Sequence, residues 1–203
     1  DPCSFPNYFG QKDQHISNEL GSIVAAAVYR TIKSAAQFSI SSIKVLRNSL
    51  KLQYANNMGF EQTEQQLILL RSVEQKASKE SDSIWFVMLP GEPFVEYGMD
   101  IGTIFRIFYD AAEERVITCG YTNDCIGYLI TKQSIPEGGY EVEIAHRLYN
   151  RPSCFASSCQ HVIYHNVLNM AGKLAVKKNS FIKVLNSVFR SIARGFKHLL
   201  GEK

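Results

Sequence analysis

Glu92 directly follows a short apolar run, and its position makes it the first candidate for chemistry. Residues 84–89 (Ile-Trp-Phe-Val-Met-Leu) are rich in aromatic and branched side chains and are followed by the turn residues Pro90-Gly91, a pattern typical of a buried strand. In open α/β sheets, ligands bind outside the carboxyl ends of the strands, so this carboxylate is a candidate ligand-binding group. The alternative is a first-turn carboxylate of the following helix, where the helix dipole favours a negative charge.

His161 and His165 form a second candidate metal-binding pair. Four residues apart, they would share one face of a helix and could chelate a metal ion there. No glutamate stands next to the first histidine, so the zincin motif is absent. Two solvated helix histidines are the alternative interpretation.

The cysteines do not form the pattern of a structural zinc site. Five are present, and the local pairs Cys119/Cys125 and Cys154/Cys159 lack the paired C-x-x-C knuckles of such sites. We expect reduced, mostly buried thiols, with a Cys154–Cys159 disulfide as the alternative.

Local patterning predicts an α/β or α+β fold, with a mixed sheet of about four strands flanked by helices and a C-terminal amphipathic helix. Apolar runs and apolar/polar alternation predict strands at 38–46 with a continuation at 49–54, at 84–89 and at 115–122. Apolar residues at helical spacing, or helix-forming composition, predict helices at 18–35, 61–79, 94–108, 157–173 and 181–200.

Composition excludes some classes of protein. Hydrophobic and charged contents of 45% and 20% are ordinary for a globular protein, and the net charge of +3 gives no reason to expect a nucleic-acid partner. No apolar run approaches the roughly 20 residues of a transmembrane helix. The chain starts at Asp1 without a methionine or a signal-peptide pattern, so we expect it to be the C-terminal part of a longer protein.

Three motifs carry a resemblance to a known enzyme family. They are Leu89-Pro90-Gly91-Glu92-Pro93, then Gly120-Tyr-Thr-Asn123-Asp-Cys-Ile-Gly-Tyr128-Leu-Ile-Thr131, and then Gly138-Gly139-Tyr140-Glu141-Val142. In order and spacing they resemble the neutral/alkaline non-lysosomal ceramidases, zinc amidases that split ceramide into sphingosine and a fatty acid. The resemblance implies that residues 1–176 are the C-terminal part of a ceramidase-like catalytic domain, with residues 177–203 a separate basic amphipathic helix.

The resemblance also implies a Zn²⁺ site to which this chain contributes two ligands, Glu92 and Tyr128. A second family tyrosine, beside the substrate amide, matches Tyr140, twelve residues further on (140 − 128 = 12). The family's two zinc-binding histidines, catalytic serine and oxyanion arginine lie upstream and have no counterparts in residues 1–82. The implied partners are a lipid amide substrate and the missing N-terminal part of the catalytic domain. The implied location is secreted, luminal or membrane-associated.

Two departures from the ceramidase pattern concern the substrate. Pro93-Phe-Val follows the glutamate where ceramidases proper usually carry Phe-Thr-Thr, and Cys125-Ile-Gly replaces their Tyr-x-His. At both positions this sequence looks more like the ceramidase-like homologues than like ceramidases proper. This likeness retains the expected metal site and leaves the identity of the substrate open. The alternative function is a catalytically incomplete homologue that acts as a membrane-associated binding or structural protein.

The residue types fit zinc chemistry. Zinc accepts oxygen ligands, and its charge would favour the phenolate of a tyrosine whose free pKa is about 10. If Glu92 and Tyr128 followed parallel neighbouring strands, both would reach one edge of the sheet, and Tyr140 could donate a hydrogen bond to a developing oxyanion. The alternative for both tyrosines is a core position with a satisfied hydroxyl. Since three protein ligands are usual for catalytic zinc, we expect this chain alone neither to bind zinc tightly nor to hydrolyse amides.

The C-terminal segment favours a different partner. Apolar residues recur at helical spacing between 181 and 199, and residues 177–203 carry seven lysines and arginines against Glu202 alone. A basic amphipathic helix of this kind can lie on an anionic membrane surface. The alternative is a helix docked on its own domain or on a partner, with a solvated basic face.

Overall fold

In a computed structural model of the chain, residues 11–35, 39–72, 83–112 and 115–175 are described. The chain divides into two compact units, Asp1–Phe38 and Ser39–Lys203. In the first unit the described structure is one helix, α1 (Gln11–Ser34), as the apolar spacing of residues 18–35 predicts. No helix in the described parts of the chain is both long enough and apolar enough to cross a membrane.

The second unit contains a mixed four-stranded sheet with the strand order β1-β2-β3-β5. β1 and β2 form a long antiparallel hairpin, β2 and β3 are antiparallel, and β3 and β5 are parallel. The remaining pair, β4 and β6, forms a separate two-stranded parallel sheet. The strands are β1 (Ile40–Gln53), β2 (Phe60–Ser72), β3 (Ile84–Met88), β4 (Glu92–Pro93), β5 (Val116–Cys119) and β6 (Tyr128–Leu129).

Helices cover one face of the four-stranded sheet. The longer ones are α2 (Val95–Tyr109) and α5 (Ser158–Leu174), and two single-turn helices are α3 (Tyr140–Glu143) and α4 (Ala145–Leu148). Side chains that alternate along the inner strands point into the core beneath α2 and α5, where Trp85 packs edge-on against Phe105 with ring centroids 5.0 Å apart. The fully buried sheet residues of this core are Leu52, Leu67, Leu69, Trp85 and Val87.

A buried polar chain fixes α5 on the hairpin. The Asn48 side-chain amide donates to Asn166 Oδ1, and the Asn166 amide donates to Gln65 Oε1, both at 2.8 Å. Gln65 is fully buried, and Asn166 satisfies its side-chain oxygen, while its Nε2 has no hydrogen-bond partner among the described residues. These hydrogen bonds select one register of α5 against β1 and β2.

The predicted fold class is confirmed: the described residues form a mixed four-stranded sheet with helices. The expected strand at 84–89 is present as β3, and the helix expected at 94–108 is present as α2. The helix expected at 181–200, and the whole basic segment 177–203, lie outside the described residues.

The helix predicted at 61–79 is wrong over its described part. Residues 61–72 belong to β2, whose side chains alternate between buried Thr63, Gln65, Leu67 and Leu69 and more exposed neighbours. The Glu, Gln and Leu content favours a helix locally, but pairing with β1 on one side and β3 on the other outweighs that propensity.

Candidate metal centre

Glu92 and Tyr128 are paired in register on β4 and β6, and Pro93 is paired with Leu129. The Glu92 amide donates to Gly127 O at 2.9 Å, and the Phe94 amide donates to Leu129 O at 3.2 Å. Parallel strands place directly paired residues on the same face of a sheet. The two residues that the ceramidase resemblance assigns as ligands, 36 positions apart in the sequence (128 − 92 = 36), are therefore neighbours in space.

The close approach of these strands requires glycine at position 91. A Cβ at Gly91 would lie 2.3 Å from the backbone oxygen of Gly127, a distance that no side chain can accommodate. Gly127 itself has φ of +107°, and a Cβ there would meet the Tyr149 ring at 3.4 Å. The Pro-Gly turn after β3 thus places Glu92 beside the strand that carries Tyr128.

The Tyr128 phenol lies beside the carboxylate of Glu92, its partner in the strand register. Partial burial, and after it hydrogen bonding to Glu92 and the negative charge of that carboxylate, raise the pKa of Tyr128 well above its ordinary value. The raised pKa keeps Tyr128 a neutral phenol at neutral pH. A cation held by Glu92 and Tyr128 would favour the phenolate instead.

Tyr121 is a third member of the centre. Its hydroxyl donates to Glu92 Oε2. Burial, followed by the hydrogen bonds to Glu92 and Tyr149, raises the pKa of Tyr121.

Tyr121 is not among the residues that the sequence motifs single out, although it belongs to the same Gly120–Thr131 segment as Tyr128. Its backbone lies in the left-handed region, with φ of +53°. The loop that holds it is bonded to the turn before Glu92, with the Tyr121 amide donating to Gly91 O at 2.8 Å. A tyrosine directly after the motif's first glycine is the only sequence signal for its role.

Aromatic rings enclose Tyr128 edge-on. The ring centroids of Tyr140 and Tyr149 lie 6.1 and 6.3 Å from that of Tyr128, and Phe94 lies at 6.5 Å. Tyr140 begins α3 and is 43% exposed, so part of its side chain faces solvent. The structure therefore brings all three sequence-predicted residues, Glu92, Tyr128 and Tyr140, into one cluster.

The competing histidine pair belongs to another part of the fold. His161 and His165 lie on α5, and His165 Nδ1 is 3.3 Å from the Asn169 side-chain amide. In the described part of the chain, no group of three or more His, Cys, Asp and Glu residues could hold a metal ion. The described histidines thus form no three-ligand site.

The cysteines of the described chain are free thiols, including Cys154 and Cys159, so the alternative disulfide is not formed. The Cys159 thiol donates to Gln53 O at 3.2 Å, and burial raises its pKa to about 11. A buried thiol of raised pKa is inert.

The donor set fits part of a zinc site. One carboxylate and two phenol hydroxyls converge, of which Glu92 and Tyr128 are the ligands that the resemblance implies. Zinc takes carboxylate oxygens as ordinary ligands, and catalytic zinc usually has three protein ligands, often including histidine. The pair therefore suits a cation whose remaining ligands come from elsewhere. No family model matches the chain, and no curated protein or solved structure matches it either.

Proposed function

We propose that this chain is the C-terminal part of the catalytic domain of a zinc-dependent amidase resembling the neutral ceramidases. Its substrate is the N-acyl amide of ceramide or a related lipid. The observation that carries the proposal is the in-register pairing of Glu92 with Tyr128 on two parallel strands. A chance match to the motifs would not be expected to place this carboxylate and this tyrosine opposite each other on paired strands.

Glu92 and Tyr128 would hold the metal ion, with Tyr121 orienting the Glu92 carboxylate through the bond to Oε2. When bound, zinc supplies a water of lowered pKa and polarises the amide carbonyl. Tyr140, edge-on to Tyr128 and partly exposed, donates a hydrogen bond to the oxyanion that develops on the substrate.

Two ligands leave the site incomplete, so the N-terminal part of the catalytic domain supplies the others. The isolated chain accordingly has weak zinc affinity and no amidase activity. Sub-micromolar zinc binding by this chain alone, abolished in Glu92→Ala, would contradict this division of the site.

The test is hydrolysis of an N-acylsphingosine by the complete protein that contains this chain. Glu92→Ala and Tyr128→Phe should each lower kcat/KM by at least about a hundredfold, corresponding to roughly 2.7 kcal/mol of transition-state stabilisation. Tyr164→Phe is the matched control, because the Tyr164 hydroxyl also donates to a carboxylate, Asp100 Oδ2 at 2.7 Å, away from the centre. That variant should retain its activity.

Two results would overturn the proposal. Full activity in Glu92→Ala would remove the glutamate from the metal centre. A complete wild-type protein that binds zinc and lipid vesicles but hydrolyses no N-acyl amide would favour the alternative, a membrane-associated binding or structural protein.

A further inference from the structure

The four-stranded sheet has one long edge, the outer side of β1. This strand comes first in the strand order, so β2 is its neighbour on one side only. β1 has 14 residues, whereas β5, at the opposite edge, has 4. A long edge strand presents a row of backbone N–H and C=O groups to which another strand can bind.

The hydrogen bonds at the end of β1 show which of its backbone groups point outward. The Gln53 carbonyl points away from β2, because it accepts a hydrogen bond from the Ala156 amide at 2.9 Å. The next amide, that of Tyr54, points the other way and donates to Gly59 O within the hairpin. These directions alternate along a strand. The residues of β1 whose backbone groups also point outward are therefore Ile43, Val45, Arg47, Ser49 and Lys51.

The chain itself pairs with one end of this edge. Tyr54 forms an antiparallel bridge with Phe155, and the Ala55 amide donates to Cys154 O at 2.8 Å. The chain then leaves the edge, because α5 begins at Ser158. Among the described residues, the backbone from 40 to 52 is paired with β2 alone. The outer edge thus carries a docked strand at one end and unpaired backbone groups along the rest.

The side chains along this outer edge divide into an apolar and a basic half. They lie on the sheet face opposite the helices, since the intervening Leu50 is buried in the core. Ile43 and Val45 form the apolar half and are 61% and 50% exposed. Arg47 and Lys51 form the basic half, and both are exposed.

Both cations of the basic half have only exposed neighbours on β2. Arg47 Nη1 lies 3.4 Å from Glu64 Oε2 in an ion pair whose side chains are half exposed. Lys51 Nζ lies 4.1 Å from the centroid of the exposed Phe60 ring. Exposed contacts of this kind are worth little, so both cations can also engage a carboxylate on an added strand.

The charge of β1 determines which partner suits the edge. The strand contains Lys44, Arg47 and Lys51 and no acidic residue. A second copy of β1 would bring like charges together, and like charges on adjacent strands repel. An acidic strand reverses the sign of that interaction, so the same side chains that oppose self-association favour an acidic partner.

We propose that β1 binds an extended acidic peptide as an added antiparallel strand, which continues the pairing that residues 154–156 begin. The peptide residues opposite Lys51 and Arg47 are acidic, and those opposite Val45 and Ile43 are apolar. Because the peptide runs antiparallel, this order defines the pattern acid-x-x-x-acid-x-apolar-x-apolar. Backbone hydrogen bonds supply the affinity, and the side chains opposite each other supply the specificity.

The test uses a fluorescent peptide, Glu-Thr-Ser-Thr-Glu-Thr-Val-Thr-Val, blocked at both ends, and fluorescence anisotropy with the full chain. Lys51→Glu should weaken binding at least about tenfold, because an attraction becomes a repulsion. A peptide with lysine as its first residue should recover part of the affinity for K51E and bind the native chain more weakly.

Lys44→Glu is the matched control for this charge reversal. It makes the same change on the same strand, but Lys44 alternates with the outward-pointing residues, so its side chain lies on the other face. Its effect on peptide affinity should stay below about twofold, because position 44 faces none of the acidic residues of the peptide.

A modified peptide tests the backbone pairing without any change to the protein. The seventh residue of the peptide lies opposite Val45 and would donate its N–H to the Val45 carbonyl. N-methylation of that residue removes the donor and keeps the charge. Binding should fall at least about tenfold, since a strand cannot add across a blocked amide.

Three outcomes would overturn the proposal. Equal weakening in K44E and K51E would show general attraction to a basic surface rather than a defined register. Undiminished binding of the N-methylated peptide would exclude strand addition. A native chain that does not bind the peptide would leave the edge without an acidic partner, and a dimer in sedimentation would then assign it to a second copy.

Discussion

The Glu92 carboxylate accepts a hydrogen bond from the Tyr121 hydroxyl. Tyr128 lies beside the same carboxylate as its partner in a parallel strand pair, and Tyr121 reaches it through a loop bonded to the turn before Glu92. Two phenols thus lie beside one anion. This arrangement has consequences for ionisation, metal binding and stability that can be measured separately.

Glu92→Gln should lower the pKa of both Tyr121 and Tyr128. In the native chain, burial and then the Glu92 hydrogen bond and charge raise both values, because a phenolate would be a second negative charge beside the carboxylate. A neutral amide removes that repulsion, so each pKa should fall by at least about one unit toward the free value of about 10. Titration of ¹³Cζ-labelled tyrosine by NMR, with resonances assigned in Tyr→Phe variants, measures the change.

Tyr97 is the control for this titration. Burial is the main reason that its pKa is raised, and its hydroxyl donates to Ile130 O rather than to a carboxylate. It should titrate identically in Glu92→Gln. Unchanged titration of Tyr128 in that variant would show that the two side chains do not interact.

In the proposed zinc site, Tyr121→Phe should weaken zinc binding by the complete protein by about tenfold, because Glu92 would lose the partner that orients its carboxylate while remaining as a ligand. Tyr164→Phe, which removes the bond to Asp100, should leave zinc affinity unchanged. Competition with a chelating dye gives both affinities. If Tyr121→Phe bound zinc as tightly as the native protein, the Glu92 carboxylate would need no such orientation.

Gly91→Ala should destabilise the sheet unit by about 2–4 kcal/mol, since its Cβ would meet the Gly127 oxygen at 2.3 Å and push β4 away from β6. Gly98→Ala, inside α2, is the contrasting substitution. Its Cβ would find only the Thr118 Cβ, at 4.0 Å, so a gain of about 0.5–1 kcal/mol is expected from helix propensity. Urea unfolding monitored by circular dichroism measures the free energy of unfolding of both variants. A Gly91→Ala variant as stable as the native chain would refute the close approach of β4 and β6.

Arg151→Met should cost about 2 kcal/mol of unfolding free energy. Arg151 Nη1 lies 3.0 Å from Glu61 Oε2, with the two side chains 30% and 15% exposed, so the variant leaves a largely buried carboxylate that keeps its hydrogen bond from Tyr54 but loses its cation. Adding Glu61→Gln should recover part of the loss, because the unpaired charge is then removed as well.

The exposed pair Arg47–Glu64 provides the comparison for that variant. Its nitrogen and oxygen are 3.4 Å apart, and its side chains are 55% and 51% exposed. Arg47→Met should therefore change stability by less than about 0.5 kcal/mol in the same urea measurement. Equal losses in the two variants would mean that burial of the Arg151 pair contributes nothing.

The sequence by itself determined the strand at Ile84–Met88, the glutamate beyond its end and the helix Val95–Tyr109, because each depends on a pattern within one short window. Only the tertiary structure decided that residues 61–72 are a strand and that Tyr121 reaches Glu92. Both depend on contacts between segments that are distant in the sequence. Pairing with neighbouring strands outweighs the local helix propensity of residues 61–72, and the contact of Gly91 with Gly127 brings two backbone segments close together. The motif spacing pointed to Tyr128 and Tyr140, but their distances from one another and from Glu92 follow from the β4–β6 register, which no local pattern specifies.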